Sequence, residues 1–150
     1  MGLAISRPDA LDLEASPRRG RAHPEPQALN TLLVFLGAGL GGVLRHGVNL
    51  AAARLGSTFP WGTLGINIAG SVLMGIVTGW LALRGGPPQA RLFVATGILG
   101  GFTTFSTFSL EAFTLMERGD GLAALAYVLV SVLAGIGGLA LALIVMRQVL

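Results

Sequence analysis

The segment that decides the fold reads GILGGFTTFSTFS and spans residues 97–109. It lies within an apolar stretch, yet it contains a glycine pair, a threonine pair and five hydroxyl side chains in seven residues. Glycine lowers helix propensity and Ser and Thr hydroxyls compete for backbone groups, so this composition predicts a helix that is broken near Gly100–Thr104. A break at membrane depth frees carbonyls and amides that must be buried in protein, line water or bind an ion. A flexible, hydroxyl-rich packing helix is the alternative interpretation.

The composition around this segment predicts an all-α membrane protein. The chain has 150 residues, of which 53% are apolar and 11% are charged. Because so short a chain has too little interior to remove that much apolar surface from water, lipid is its natural solvent. Four apolar stretches meet the ~20 residues that a helix needs to cross a bilayer, and short connections with Pro, Gly or charge separate them. The four predicted spans are residues 31–53, 61–83, 90–116 and 121–146.

Small residues recur at four-residue spacing on each predicted span. The pairs are Gly37 and Gly41, Gly75 and Gly79, Gly97 and Gly101, and Ala134 and Gly138. This spacing lets helix backbones approach each other closely in lipid. It predicts tight packing and indicates no particular function.

The N-terminal segment differs from the rest of the chain. Residues 1–28 contain four prolines and no apolar run, which predicts a disordered tail ahead of a membrane domain at residues 29–150. Acidic residues stand where a signal peptide would be basic, so we do not expect a secretory signal.

The arginines predict almost no preference for one orientation in the bilayer. With the tail left aside, one side has three arginines and the other has two: Arg84, Arg91 and Arg147 against Arg54 and Arg118. The positive-inside rule needs a larger bias, and near balance is typical of a chain that inserts both ways up. The arginines of the tail would favour a cytoplasmic N-terminus.

Polar side chains inside the spans are candidates for a pathway. Asn67 lies mid-span with Thr63 and Ser71 four residues to either side, so the three share a face. An amide at this depth needs a partner, either an anion or a neighbouring helix. Tyr127 and Ser131 form a second polar pair on one face of the fourth span.

Four further residues allow more than one interpretation. Phe105 and Phe108 are three residues apart on one face, and they either make core or lipid contacts or present positive ring edges to a small anion. Arg45 is either a vestibule residue that attracts anions or an anchor that snorkels to the interface. Glu111 is interpreted as structural or vestibular rather than as a proton carrier.

The chain lacks the residues that several other functional classes of protein require. Cysteine is absent and the two histidines, His23 and His46, are far apart, so thiolate chemistry and a zinc or haem site have little support. The arginines are mostly scattered singly between apolar runs, which argues against a nucleic-acid partner. No catalytic triad, paired carboxylates or phosphate loop is found, so we do not expect an enzyme.

Three segments together resemble the CrcB/Fluc family of fluoride channels. They are residues 100–108 with Glu111, residues 37–45, and residues 62–67 with the pair Gly70-Ser71. The resemblance covers residues 31–146 and leaves out the tail. It implies a passive channel that exports cytoplasmic fluoride, gives fluoride resistance and lies in the plasma membrane, in prokaryotes the inner membrane.

The resemblance also implies an assembly and site residues. The subunits would form an antiparallel, dual-topology homodimer, or a heterodimer with an oppositely oriented paralogue if the tail fixes one orientation. A structural sodium ion would bind the backbone carbonyls of Gly100 and Thr103, and Arg45 would lie in a vestibule. Fluoride would pass seven residues: Asn67, Phe105, Phe108, Ser106, Thr107, Tyr127 and Ser131.

Two rival functions follow from the residues. A proton-coupled small multidrug transporter would need a carboxylate in the first span, and residues 31–53 contain none. A non-transporting scaffold would explain the glycines, but it leaves Asn67 and the threonine-rich segment without a role.

Overall fold

The computed structural model describes residues 27–149, and most of the predicted tail lies outside the described residues. Helix α1 is Gln27–Ala53, α2 is Trp61–Arg84, α3 covers residues 88–102, α4 is Phe105–Glu117 and α5 is Gly121–Val149. Because α3 and α4 together form one span, four spans are long and apolar enough to cross a bilayer. The prediction of an all-α membrane protein with four spans is therefore confirmed. Helix α1 begins at Gln27, so the last two residues assigned to the tail are helical.

Helix α3 changes its hydrogen-bonding pattern along its length. It begins as an α-helix at Pro88–Arg91, widens to a π-helix over Leu92–Leu99 and returns to an α-turn at Gly100–Phe102. Thr103 and Thr104 are then extended, with φ and ψ of −81° and 156° and of −152° and 122°. The extended part is shorter than the sequence indicated, because the glycine pair remains helical and only the threonine pair leaves the helix.

Two helix pairs make the largest contacts, α1 with α3 and α2 with α5. In the first pair the backbones touch: a Cβ atom added to Gly41 would collide with the carbonyl oxygen of Ile98, and one added to Gly101 would lie 2.5 Å from the Ala38 carbonyl oxygen. Gly75 approaches the backbone of α5 in the same way. The predicted close packing of the small residues is present in both pairs.

The outer surface of the subunit is apolar. Phe35 on α1 is 71% exposed and Leu133 on α5 is 68% exposed, and many other large apolar side chains face outward. A water-soluble subunit would not leave so much contiguous apolar surface uncovered. The described helices thus present the surface expected of a multi-pass membrane protein.

Candidate ion pathway

The break between α3 and α4 is held from the side by Asn67 of α2. The Thr104 N–H donates to Asn67 Oδ1 at 3.0 Å, and Asn67 Nδ2 donates to the Thr104 carbonyl oxygen at 3.2 Å. One amide side chain therefore satisfies both backbone groups that Thr104 loses by leaving the helix. An Asn amide has two N–H bonds and this contact occupies one of them, so the bracing role leaves Asn67 a second donor.

The hydroxyls around the break bond mainly to one another. Thr104 caps α4, since its Oγ1 accepts from the Thr107 N–H at 3.3 Å and its hydroxyl donates to Thr107 Oγ1 at 3.2 Å. Ser106 Oγ lies 3.4 Å from the same Thr104 oxygen. Two of the predicted pathway hydroxyls, those of Ser106 and Thr107, thus belong to the cap of a helix.

These hydrogen bonds also leave two backbone carbonyls without the amide donors that they would have in a continuous helix. In a continuous α-helix the Thr104 N–H would bond to the Gly100 carbonyl, and the Thr107 N–H would bond to the Thr103 carbonyl. Here the first amide donates to Asn67 and the second to Thr104 Oγ1. The Gly100 and Thr103 carbonyl oxygens are released from their helical donors, and a released carbonyl at membrane depth suits a cation. These two carbonyl oxygens are therefore suitable ligands for an alkali ion.

An open cleft of about 300 Å³ lies against the break. It brings together four of the predicted pathway residues, namely Asn67, Phe105, Phe108 and Ser131. Ser131 Oγ is buried and has no hydrogen-bond partner among the described residues. A buried hydroxyl without a partner carries a desolvation cost that a ligand in the cleft would remove.

Phe105 and Phe108 stand at different depths. Their ring centroids are 5.7 Å apart and their planes are tilted by 41°. The Phe105 side chain is 80% exposed and projects from the subunit, whereas Phe108 is half-buried against the core. The Phe105 ring therefore lies at the rim of the cleft and the Phe108 ring at its inner wall.

Tyr127 lies behind Phe108 and does not line the cleft. Its ring centroid is 5.2 Å from that of Phe108, and its hydroxyl donates to Glu111 Oε2 at 2.8 Å. Thr63 of α2 donates to the other oxygen, Oε1, at 2.9 Å. Thr63 and Tyr127 are almost completely buried, at 1% and 0% exposure. The Glu111 carboxylate therefore joins α2, α4 and α5, which the sequence did not indicate beyond the position of Thr63 one turn from Asn67.

Of the remaining predicted residues, Thr103 lines the cleft and the others lie outside it. Arg45 is half-buried on α1, and it lines neither the cleft nor the cavity near Glu111. Ser106 is exposed and Gly100 faces outward, so each is accessible from beside the subunit. The cleft thus gathers the amide, both rings and the Ser131 hydroxyl from the predicted pathway residues, while the arginine lies apart from them.

Comparison with known proteins places these features in a family. The family model described as "CrcB-like protein, Camphor Resistance (CrcB)" matches residues 32–143. A Methylobacterium nodulans protein named fluoride-specific ion channel FluC is 73% identical over 121 residues, which are 80% of this chain and 98% of the relative. Proteins of the same name from a Methylobacterium species and from Beijerinckia indica are 62% and 55% identical over 80% and 79% of this chain, and over 98% and 97% of their own lengths. The break, the cleft and the Glu111 carboxylate all fall within the matched residues, and the chain belongs to the CrcB family.

Proposed function

We propose that this protein is a passive, fluoride-selective ion channel that exports cytoplasmic fluoride and thereby gives fluoride resistance. The names of its relatives support this function. The single observation that carries it is the cleft at the break, where an amide donor, a buried unpaired hydroxyl and two aromatic rings meet. The activity is that of a channel and not of an enzyme.

The groups at the cleft match the needs of a small anion. Fluoride must exchange its water for other donors, and the spare N–H of Asn67 and the Ser131 hydroxyl supply them. The ring edges of Phe105 and Phe108 carry partial positive charge, so they attract an anion without the full charge of an arginine. A weak site of this kind lets an ion enter and leave.

The driving force needs no coupled reaction. Hydrogen fluoride is neutral and crosses lipid, whereas the fluoride ion formed inside a near-neutral cell is trapped there. An inside-negative potential favours movement of an anion outward by about 2.3 kcal/mol per 100 mV. A passive path in the plasma membrane, or the inner membrane of a prokaryote, is then sufficient.

The assembly we propose is an antiparallel dimer of two copies with dual topology. A single subunit leaves the Phe105 ring 80% exposed and the cleft open at its side, and a second copy would cover both. The near balance of arginines supports insertion in both orientations. If the tail fixes one orientation, an oppositely oriented paralogue would supply the second subunit.

A structural sodium ion is proposed at the carbonyls of Gly100 and Thr103. The diverted Thr104 and Thr107 amides support it, because both carbonyl oxygens then need another partner. Alkali ions in proteins are held by several carbonyls at once, and a second copy would double the number available. Such an ion, when bound, would supply positive charge near the pathway and lower the cost of holding an anion there.

Fluoride release from liposomes tests the proposed function. The purified protein is reconstituted, and release is followed with a fluoride electrode and with a chloride electrode as the control. Rapid release of fluoride without chloride is the expected result. No release from a folded protein would favour the paralogue heterodimer, tested by co-reconstitution, and then the scaffold.

The variant Phe108→Ile tests whether the cleft is the pathway. A pore role predicts loss of fluoride release from a folded protein, whereas a packing role predicts a modest change. The matched control is Phe35→Ile, since Phe35 is exposed on α1 and lines neither cavity. Equal loss in both variants would contradict the assignment of Phe108 to the pathway.

A further inference from the structure

A second cavity, of about 390 Å³, lies where α1 ends, α2 begins and α4 ends. These three helix ends meet on one side of the subunit, so the cavity opens toward one surface of the bilayer. Its walls include Phe59 of the loop between α1 and α2, the Glu111 carboxylate, and Arg118 directly after α4. The cavity shares no lining residue with the cleft at the break.

Only about one turn of α4 separates the two spaces. Phe108 lines the cleft and Glu111 lines the cavity. Residues three apart on an α-helix differ by about 4.5 Å along its axis. The fully buried ring of Tyr127 stands at this level and contacts both groups.

A continuous series of aromatic rings runs from one space to the other. The order is Phe105, Phe108, Tyr127, Phe59 and Trp61, with centroid distances of 5.7, 5.2, 5.7 and 4.5 Å between successive rings. The Phe59 and Tyr127 planes meet at 88°, so one ring presents its edge to the other. Ring edges are weakly positive, so the series offers an anion favourable surfaces beyond the cleft.

Phe59 is the ring of this series that stands in a loop between helices. Its backbone N–H donates to Ser57 Oγ at 3.1 Å and not to a helical carbonyl. Its ring is partly buried and packs against the core cluster, in contact with Tyr127 and Trp61. Phe59 therefore fills the space between the cavity and Tyr127, and a smaller side chain at this position would widen that space.

Two charged residues line the cavity, one basic and one acidic. Arg118 is exposed there and Glu111 is the acidic residue of the wall. Both oxygens of that carboxylate are already occupied by hydroxyl donors from Thr63 and Tyr127. An anion approaching from solvent thus meets the guanidinium before it meets the carboxylate.

We propose that this cavity is a mouth of the fluoride pathway, with Phe59 as the ring that closes it and Arg118 as the charge that draws the anion to it. This proposal rests on the proposed function and gives Phe59 and Arg118 roles that the sequence did not predict. A lining charge at a cleft raises the local anion concentration and the rate of arrival, and salt weakens this effect.

A single engineered thiol tests the mouth, because the chain has no cysteine. Arg118→Cys is modified in detergent with a cationic aminoethyl or an anionic sulfonatoethyl methanethiosulfonate and is then reconstituted. We expect fluoride release to be about three- to tenfold faster with the cationic adduct than with the anionic one at low salt, and the difference to shrink at high salt. A thiol reductant should return both samples to one rate.

Arg84→Cys is the matched control, since Arg84 ends α2 and lines neither cavity. Its two adducts should release fluoride at the same rate. Equal rates for the two Arg118→Cys adducts, in a protein whose wild type releases fluoride, would overturn the mouth and leave the proposed function standing. No release from the wild type would overturn the proposed function, and the mouth with it.

Two substitutions test the closing ring. Phe59→Ala should raise fluoride release several-fold, and Phe59→Trp should lower it. If both variants fold and release fluoride at the wild-type rate, Phe59 does not close the mouth. If Phe59→Ala fails to fold, the adducts on Arg118→Cys still decide the assignment of the cavity, because they are made on folded protein.

Discussion

Two seams between helices hold the broken span by different means. The glycine seam, where α1 meets α3, consists of Gly37, Gly41, Gly97 and Gly101. The polar seam, where α2 meets the break and α4, consists of Thr63, Asn67, Thr104 and Glu111. At the first seam two backbones touch with no side chain between them, and at the second the four residues meet through hydrogen bonds from or to side chains.

The difference shows what each seam cannot tolerate. The glycine seam fixes α3 by shape, so it is damaged by any added atom. The polar seam replaces backbone partners and holds a carboxylate, so it is damaged by the loss of a donor or acceptor. The first seam sets where the broken span lies, and the second sets how its free groups are satisfied.

The largest effect is expected from adding one methyl group to the glycine seam. In Gly41→Ala the new Cβ would collide with the Ile98 carbonyl oxygen and lie 2.7 Å from the Phe102 nitrogen. Because backbone rather than a flexible side chain stands in the way, we expect a loss of about 3 kcal/mol. Thermal unfolding in detergent, together with the monodisperse fraction on size exclusion, measures it.

Gly39→Ala is the matched control on the same helix, where an added Cβ has nothing within 4 Å. Its stability should equal that of the wild type or exceed it, since alanine favours helix. Equal losses in the two variants would show that shape does not govern this seam.

The next effect is expected at the centre of the polar seam. Asn67→Asp keeps an acceptor for the Thr104 N–H and replaces the donor to the Thr104 carbonyl with a second carboxylate oxygen. We expect a loss of stability of about 2 kcal/mol from the unpaired carbonyl, and fluoride release at background because a buried anion repels fluoride. Efflux and thermal unfolding are measured on one preparation. Normal flux in this variant would contradict the role assigned to Asn67.

A smaller effect is expected where two hydroxyls share one carboxylate. Thr63→Val and Tyr127→Phe each remove one donor to Glu111, and each should cost about 1–2 kcal/mol. Because both donors serve the same group, the double variant should depart from additivity by at least about 0.5 kcal/mol. Denaturant unfolding of the four proteins measures this coupling, and strict additivity would contradict a shared carboxylate.

The smallest change in stability is expected from Ser71→Ala. The Ser71 hydroxyl donates at 2.7 Å to the Asn67 carbonyl of its own helix, so removing it should cost less than about 0.5 kcal/mol and leave flux within about twofold. Ser131→Ala is the matched comparison in the same cleft, where the hydroxyl has no partner. It should slow fluoride release without lowering stability, and equal flux in the two variants would remove Ser131 from the pathway.

Much of the architecture followed from patterns along the chain. Apolar length predicted the four spans, and the glycine- and hydroxyl-rich segment predicted a break near Gly100–Thr104, of which only Thr103 and Thr104 leave the helix. The π-helix at Leu92–Leu99 was not predicted, because an apolar run satisfies either helical period equally well. The sequence left two interpretations of Asn67, a donor to an anion or a contact to a neighbouring helix. It could not choose between them, because the sequence does not show which group a polar side chain will meet.

The sequence alone determined that this chain lies in lipid, crosses it four times and carries polar groups that lipid cannot satisfy. These are properties of composition and spacing, and they do not depend on which helices become neighbours. Tertiary structure decided that Asn67 meets Thr104, that Thr63 and Tyr127 meet at Glu111, and that Phe59 continues the line of rings. The hydrogen bonds among these contacts join residues 16 to 48 positions apart, and Phe59 and Tyr127 are farther apart still. Only the packing of backbones at the glycine seam and between α2 and α5 brings them within reach.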